Sequence, residues 1–214
     1  MFRTIVSKSW TSLSGMRLPP PGIIRYGRSI AFRYNPSGVP LPLAKQAVMS
    51  AYRMRPMTAA DAPFVIALHR LEHVAASLNE PSEEQVLGSL ERPNVGNLVV
   101  VDERETRVGM LLLIDQEDAW IFEVRRIAAA QQGIGIGSFA LEWALRHAFD
   151  ERGAHRVYLE VHASNARARR LYEAHGFVLE GIMRESARHE HDGRYEDLCA
   201  YGILDREYNT PTKL

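Results

Sequence analysis

One short stretch narrows the fold more than any other. Gln132-Gly133-Ile134-Gly135-Ile136-Gly137-Ser138 lies between a β-rich run, Trp120–Ala129, and a long helical run, Ser138–Glu151. Glycine adopts backbone angles closed to other residues and lets a ligand approach the main chain. The first turn of a helix carries unpaired N–H groups that attract anions. The stretch therefore predicts a strand, a tight turn and a helix, with the turn cradling a phosphate or pyrophosphate. A P-loop is excluded, because no Gly-Lys-Ser/Thr follows. A dinucleotide loop, G-x-G-x-x-G, would need glycine where Ser138 stands, although Glu160, about 20 residues on, keeps that reading open. A purely structural turn is the third reading.

The flanking chain supplies the rest of the fold. Tyr52–Pro56 reads as a strand. Thr58 opens a helix, with Asp61 completing an acidic capping box, and Phe64, Leu68, Leu71, Val74 and Ala75 form its apolar stripe. Ser82 and Gln85 make a second capping box. Asn97–Val101 and Val108–Ile114 pair as a hairpin across the polar turn Asp102–Arg107. Arg125 and Arg126 interrupt the strand Trp120–Ala129. A strand (Val157–Val161), a helix (Ala166–His175) and two strands (Phe177–Arg184, Tyr195–Leu204) complete the order. Hairpins combined with one parallel crossover predict a mixed α/β sheet with helices on both faces.

Charge divides the chain. Residues 1–60 hold nine of the 26 basic side chains and no acidic one; the remainder carries 17 basic against 26 acidic, a formal charge of −9. A well-mixed domain rarely sorts its charge in this way. Residues 1–51 are read as a basic extension rich in Pro and Ser, residues 52–208 as the folded domain, and 209–214 as a tail. The extension fits three readings: an organelle transit peptide, a basic arm on the acidic domain, or sequence upstream of a true start at Met49 or Met54. Its aromatics do not interleave with its basic residues, which argues against nucleic acid. No apolar run approaches the roughly 18 residues that span a bilayer, so no membrane partner is expected. The expected location is cytoplasmic, or an organelle matrix if residues 1–50 are a transit peptide. The single cysteine, Cys199, forms no intrachain disulfide and reads as a buried small hydrophobe.

A second motif follows 30 residues after Gly135: Asn165-x-x-Ala168-x-x-Leu171-Tyr172-(x)3-Gly176-Phe177. With Gln132-x-x-Gly135-x-Gly137 before it and a long helix between them, the chain resembles the GNAT superfamily of N-acetyltransferases over roughly residues 52–206. Glu180-Gly181-Ile182-Met183-Arg184-Glu185, followed by Gly193-Arg194-Tyr195-Glu196-Asp197, is similar to the final hairpin of the RimJ/RimL-type branch.

The resemblance implies an α/β (α+β) fold, with a mixed, mostly antiparallel twisted sheet of about seven strands, helices on both faces, and a splay between the two central strands. It implies acetyl-CoA as cosubstrate. The backbone from Ile134 to Ser138 would hold its pyrophosphate, with Gln132 and Gly133 in the same loop. Ile127, Ala128 and Ala129 would pair with the pantetheine arm, Asn165 would hydrogen-bond it, and Tyr172 would bind beside the thiol. The chemistry implied is direct attack of a primary amine on the thioester in a ternary complex. Tyr172 would protonate the departing thiolate, a task suited to a group with a pKa near 10. A backbone N–H of Ile127 or Ala129 would stabilise the oxyanion. Glu123 is the first candidate base, since alternation sets Ile121, Glu123 and Arg125 on one face; Glu160 and Glu185 are reserves.

The expected acceptor is a small amine, an amino acid or a protein N-terminus, and the family makes a homodimer plausible. A CoA-binding domain without catalysis is the alternative. No metal is expected. His69 and His73 share a helix face but lack a third ligand, and His189-Glu190-His191 reads as a solvated turn.

Overall fold

Seven strands join one sheet: β1 (Tyr52–Pro56), β2 (Val95–Asp102), β3 (Arg107–Gln116), β4 (Ile121–Ala129), β5 (Arg156–His162), β6 (Val178–Arg188) and β7 (Tyr195–Leu204), in the order β1-β2-β3-β4-β5-β7-β6. This is a computed structural model, and it describes residues 51–116, 120–189 and 193–208. The readings placed on residues 1–50, on 190–192 and on the tail 209–214 lie outside the described residues.

Every strand pairing is antiparallel except β4–β5. That parallel pair is short, joining only Ile121–Glu123 to Arg156–Tyr158. β4 then runs on to Ala129 and β5 to His162 without pairing to each other, so the sheet splays at its centre, as the family resemblance implied.

Among the described residues, six α-helices pack with the sheet: α1 (Ala62–His69), α2 (Glu72–Ala75), α3 (Glu83–Leu90), α4 (Ile136–Arg146), α5 (Ala166–Ala174) and α6 (Asp205–Tyr208). One face buries Val99, Val101, Met110 and Ala128 beneath Ala62, Val65 and Leu68 of α1, Val74 of α2 and Val86 of α3. The other buries Val100, Leu111, Leu113, Phe122 and Val124 beneath Ile136, Phe139, Ala140 and Leu141 of α4, with Ala168, Leu171 and Tyr172 of α5 packed alongside. Each large side chain so buried contributes about 1.5–3 kcal/mol, and the two cores together hold the splayed strands in place. Cys199 is buried with a free thiol, as expected.

Three expectations needed correction. The helix read from Thr58 is a short turn (Ala59–Asp61) followed by α1 and α2, because the chain turns at the extended Leu71 (φ −64°, ψ 131°). Its buried face is Ala62, Val65, Leu68 and His69, while Leu71 is exposed. The long helix starts at Ile136 and gives way to a π-type turn, His147–Glu151. In β4, a bulge at Arg125 sets Leu112 opposite Arg126 and Leu113 opposite Val124. The bulge shifts the strand's phase. Phe122 and Val124 face the α4 core before it, and Ile127 and Ala129 pack there after it.

Both capping boxes form. Asp61 does more than cap. Fully buried, its carboxylate accepts from both terminal nitrogens of Arg55 (2.8 and 2.8 Å), from Arg107 Nε (2.5 Å), and from Thr58 N (2.9 Å) and Oγ1 (3.0 Å). The Arg55 guanidinium leads the groups that hold this carboxyl far below the usual range. One side chain thus ties β1 and β3 to the entry of α1.

Candidate active site

The glycine loop enters α4 through two left-handed residues, Gly133 (φ 84°) and Gly135 (φ 90°), the second being the helix N-cap. An L-residue in that conformation costs about 1–2 kcal/mol. Contacts that the sequence did not announce hold the loop. Tyr52 OH donates to the Ile134 carbonyl (3.0 Å), and its ring packs against Phe139 at 5.7 Å. Arg167 Nη1 donates to Gln132 Oε1 (3.0 Å). Beneath the loop, a Cβ on Gly109 would stand 2.8 Å from Ala128 O and 2.8 Å from Ile136 Cγ2, so this glycine lets the first turn of α4 settle on β3.

A cleft of about 720 Å³ opens between the start of α4, α5 and the parted ends of β4 and β5. Ile127, Ala128, Ala129, Gln132, Gly133, Gly135, Ile136, Gly137, Ser138, Asn165 and Tyr172 all line it. Ile134 does not; its carbonyl is the one held by Tyr52.

The backbone of β4 is oriented for a ligand. Ala130 N donates to Val108 O on β3 (2.8 Å). Alternation along the strand then turns the N–H groups of Ile127 and Ala129 to the opposite edge, into the gap that β5 leaves. The Ala129 carbonyl points the same way and accepts from His73 Nε2 (2.9 Å). His73 therefore carries its proton on Nε2.

Tyr172 sits between this edge and the core, its ring 6.0 Å from Phe177 and 6.2 Å from Tyr201. Desolvation by burial pushes its phenol up to about 12, so the proton stays on at neutral pH. Asn165 caps α5: its Oδ1 accepts from Ala168 N (3.0 Å) and its Nδ2 donates to Ser77 Oγ (3.0 Å).

The candidate bases separate. Glu123 is 7% exposed and outside the lining of the cleft; it accepts from Arg125 Nη1 (2.8 Å) and from Tyr158 OH (3.2 Å). Glu185 lies at an irregularity of β6 with φ 50°, its N–H bonded to Asp197, also away from the cleft. Glu160 lines the cleft.

At the rim, His162 Nδ1 (2.9 Å) and His189 Nε2 (2.7 Å) both meet Oε2 of Glu196, while Ser164 N donates to Oε1 (2.8 Å). Burial alone would raise the Glu196 carboxyl, but hydrogen bonds from Ser164, His162 and His189 outweigh it and hold the group at about 2. His189 thus belongs to a half-buried network that joins β5 and β7 to the residue just after β6, and is not a solvated side chain. The donor atoms of His162, His189 and Glu196 all lie within 4.8 Å of one another. His69 and His73 fall on separate helices: His69 is buried with Nδ1 on Val65 O (2.8 Å), and His73 serves β4.

This geometry selects among the readings of the loop. A dinucleotide fold requires a parallel, doubly wound sheet, and here only β4–β5 runs parallel. Residues 62–177 match the family model of the acetyltransferase (GNAT) family. The chain belongs to the GNAT acetyltransferase family. Among the relatives of this GNAT chain is the spermidine N(1)-acetyltransferase of Vibrio cholerae, 32% identical over 117 residues. That alignment covers 51% of this chain and 64% of the relative, less than two thirds of its length. The solved structure of the V. cholerae spermidine N-acetyltransferase in complex with CoA and spermine superposes with a TM-score of 0.67 at 25% identity, covering 75% of this chain and 99% of that one. An acetyltransferase from T. thermophilus superposes with a TM-score of 0.61 at 27% identity, covering 74% of this chain and 88% of that one.

Proposed function

We propose that this chain is an acetyl-CoA-dependent N-acetyltransferase that passes the acetyl group directly to a primary amine. The observation that carries the reading is the splay: a strand edge with its N–H groups turned into a gap, an anion-ready helix start at one end, and a protonated tyrosine beside it. The amides opening α4 would hold the CoA pyrophosphate, and the edge of β4 would pair with the pantetheine arm as an added strand. The His73 contact to Ala129 O occupies part of that edge and would yield to the cofactor.

In the reaction, the amine nitrogen attacks the thioester carbonyl and the N–H of Ile127 stabilises the oxyanion. The C–S bond then breaks as Tyr172 OH donates to the departing sulfur. Glu160, the carboxylate among the lining residues of the cleft, would accept the amine proton, directly or through water. Glu123, engaged by Arg125 and Tyr158, acts at most as a positioning group. The V. cholerae relative is a spermidine N-acetyltransferase, which supports a small-molecule amine acceptor. The hairpin motif shared with RimJ/RimL-type enzymes supports a wider acceptor range, and the homodimer common in the family belongs to the same proposal.

A thermal-shift titration tests cofactor choice. Acetyl-CoA at about 100 times its dissociation constant stabilises the fold by about 2.7 kcal/mol, and NADH leaves the midpoint unmoved. A shift with NADH, or none with acetyl-CoA, overturns the reading.

A further inference from the structure

A second cleft, of about 760 Å³, opens against β2, β3 and α3 and meets the first at Arg125 and Arg126, which line both. The junction lies at the β4 bulge, one residue before the strand edge assigned to the cofactor. A substrate in the second cleft would reach the thioester there.

The charges at the junction are uneven. Arg125 is neutralised by Glu123 at 2.8 Å. Arg126, half-buried in the same bulge, has no carboxylate within ion-pair distance among the described residues, and the charge that acts on it is the like charge of Arg125. Desolvation first, and Arg125 second, destabilise its charged form. The walls do not compensate: Arg92 adds a cation, and Glu84 is the one carboxylate lining this cleft. A half-buried guanidinium in such surroundings gains a charge-assisted partner when an anion arrives. A polyamine fits this second cleft poorly, since the ammonium groups beyond the one presented to Glu160 would face Arg92 and Arg126 with Glu84 as the carboxylate among its lining residues.

We propose that the acceptor is a small primary amine that also bears a carboxylate, as a free amino acid does, and that Arg126 grips this carboxylate from the junction of the two clefts. The inference rests on the acetyltransferase reading. The planar fork of arginine matches a carboxylate with two parallel hydrogen bonds. Holding the carboxylate at Arg126 leaves the amino group of the same molecule within a bond or two of the splay. Arg126 is thus a specificity residue.

The test uses matched pairs that differ only in the carboxylate: phenylalanine and phenethylamine, leucine and isoamylamine, lysine and cadaverine, with spermidine alongside. Turnover of acetyl-CoA is followed by thiol release with the full chain. The expected preference in kcat/KM for the acid of at least one pair over its decarboxylated partner is about ten- to hundredfold, as one charge-assisted contact implies. In Arg126→Gln that ratio falls toward one through a higher KM for the acid, and Arg126→Lys restores part of it. Because the readout is a ratio within one protein, general damage to folding or cofactor binding cancels. Equal or better turnover of the decarboxylated amines or of spermidine overturns the inference and leaves the acetyltransferase reading standing. So does a ratio unchanged in Arg126→Gln. Binding of acetyl-CoA with no turnover of any amine overturns both.

Discussion

Replacing Asp61 with Asn keeps shape and removes charge at the point where β1, β3 and α1 are tied together. Asp61 has no exposed surface and receives five hydrogen bonds, three of them from the guanidinium groups of Arg55 and Arg107. The asparagine amide turns donors toward donors. Breaking a buried ion pair from one side costs about 3–5 kcal/mol. Arg55 and Arg107 keep 26% and 42% of their side-chain surface in water, so they are partly re-solvated and the lower figure applies, about 3 kcal/mol. For a domain of this size each kcal/mol moves the melting midpoint by about 2–4 °C. Asp61→Asn is therefore expected to melt about 6–12 °C below wild type at pH 7 by circular dichroism. The pH dependence adds a second signature. Because folding lowers the Asp61 pKa from 3.8, its contribution is complete above that value and fades as pH falls below it. The gap between the two proteins must narrow below about pH 4. A midpoint within 2 °C of wild type at pH 7, or a gap that persists unchanged in acid, would refute this account of Asp61.

Tyr172→Phe is expected to lower kcat by about 10²–10⁴-fold while the KM for acetyl-CoA stays within about twofold; an unchanged kcat removes the general-acid role. In wild type, the phenol pushed up to about 12 means that no loss of activity below pH 10 arises from Tyr172. Gly135→Ala forces an L-residue to φ 90° and is expected to destabilise by about 1–2 kcal/mol and raise the KM for acetyl-CoA, checked by melting and steady-state kinetics. Glu196, held at about 2 against an unfolded value of 4.5, contributes up to about 3 kcal/mol that is present above pH 4.5 and lost as pH falls toward 2. In acid-unfolding curves, Glu196→Gln is expected to show a weaker pH dependence across that window than wild type.

The loop and the α5 motif were legible because their physics is local. Left-handed turns demand glycine at Gly133 and Gly135, and Asn165 caps its helix with a bond spanning three residues. The capping boxes at Thr58–Asp61 and Ser82–Gln85 formed for the same reason. Contacts across the sheet were not legible. Nothing near Tyr52 in sequence points to Ile134, 82 residues away, and Asp61 as the anchor of Arg107 depends on strand pairing. Simple alternation placed Glu123 at the reaction centre, while the bulge at Arg125 and the partners Arg125 and Tyr158 hold it aside. The pair Arg125–Arg126, two adjacent cations on successive positions of the strand, was the visible trace of that bulge.

The central claim is acetyl transfer in the splay between β4 and β5. Thiol release from acetyl-CoA, measured with a panel of primary amines and paired with mass spectrometry of the amine, tests it most directly. The account predicts one thiol released for each amine acetylated, with the rate collapsing in Tyr172→Phe while acetyl-CoA still protects that variant against melting. Wild-type protein that binds acetyl-CoA yet releases thiol no faster than buffer, with every amine offered, would contradict it.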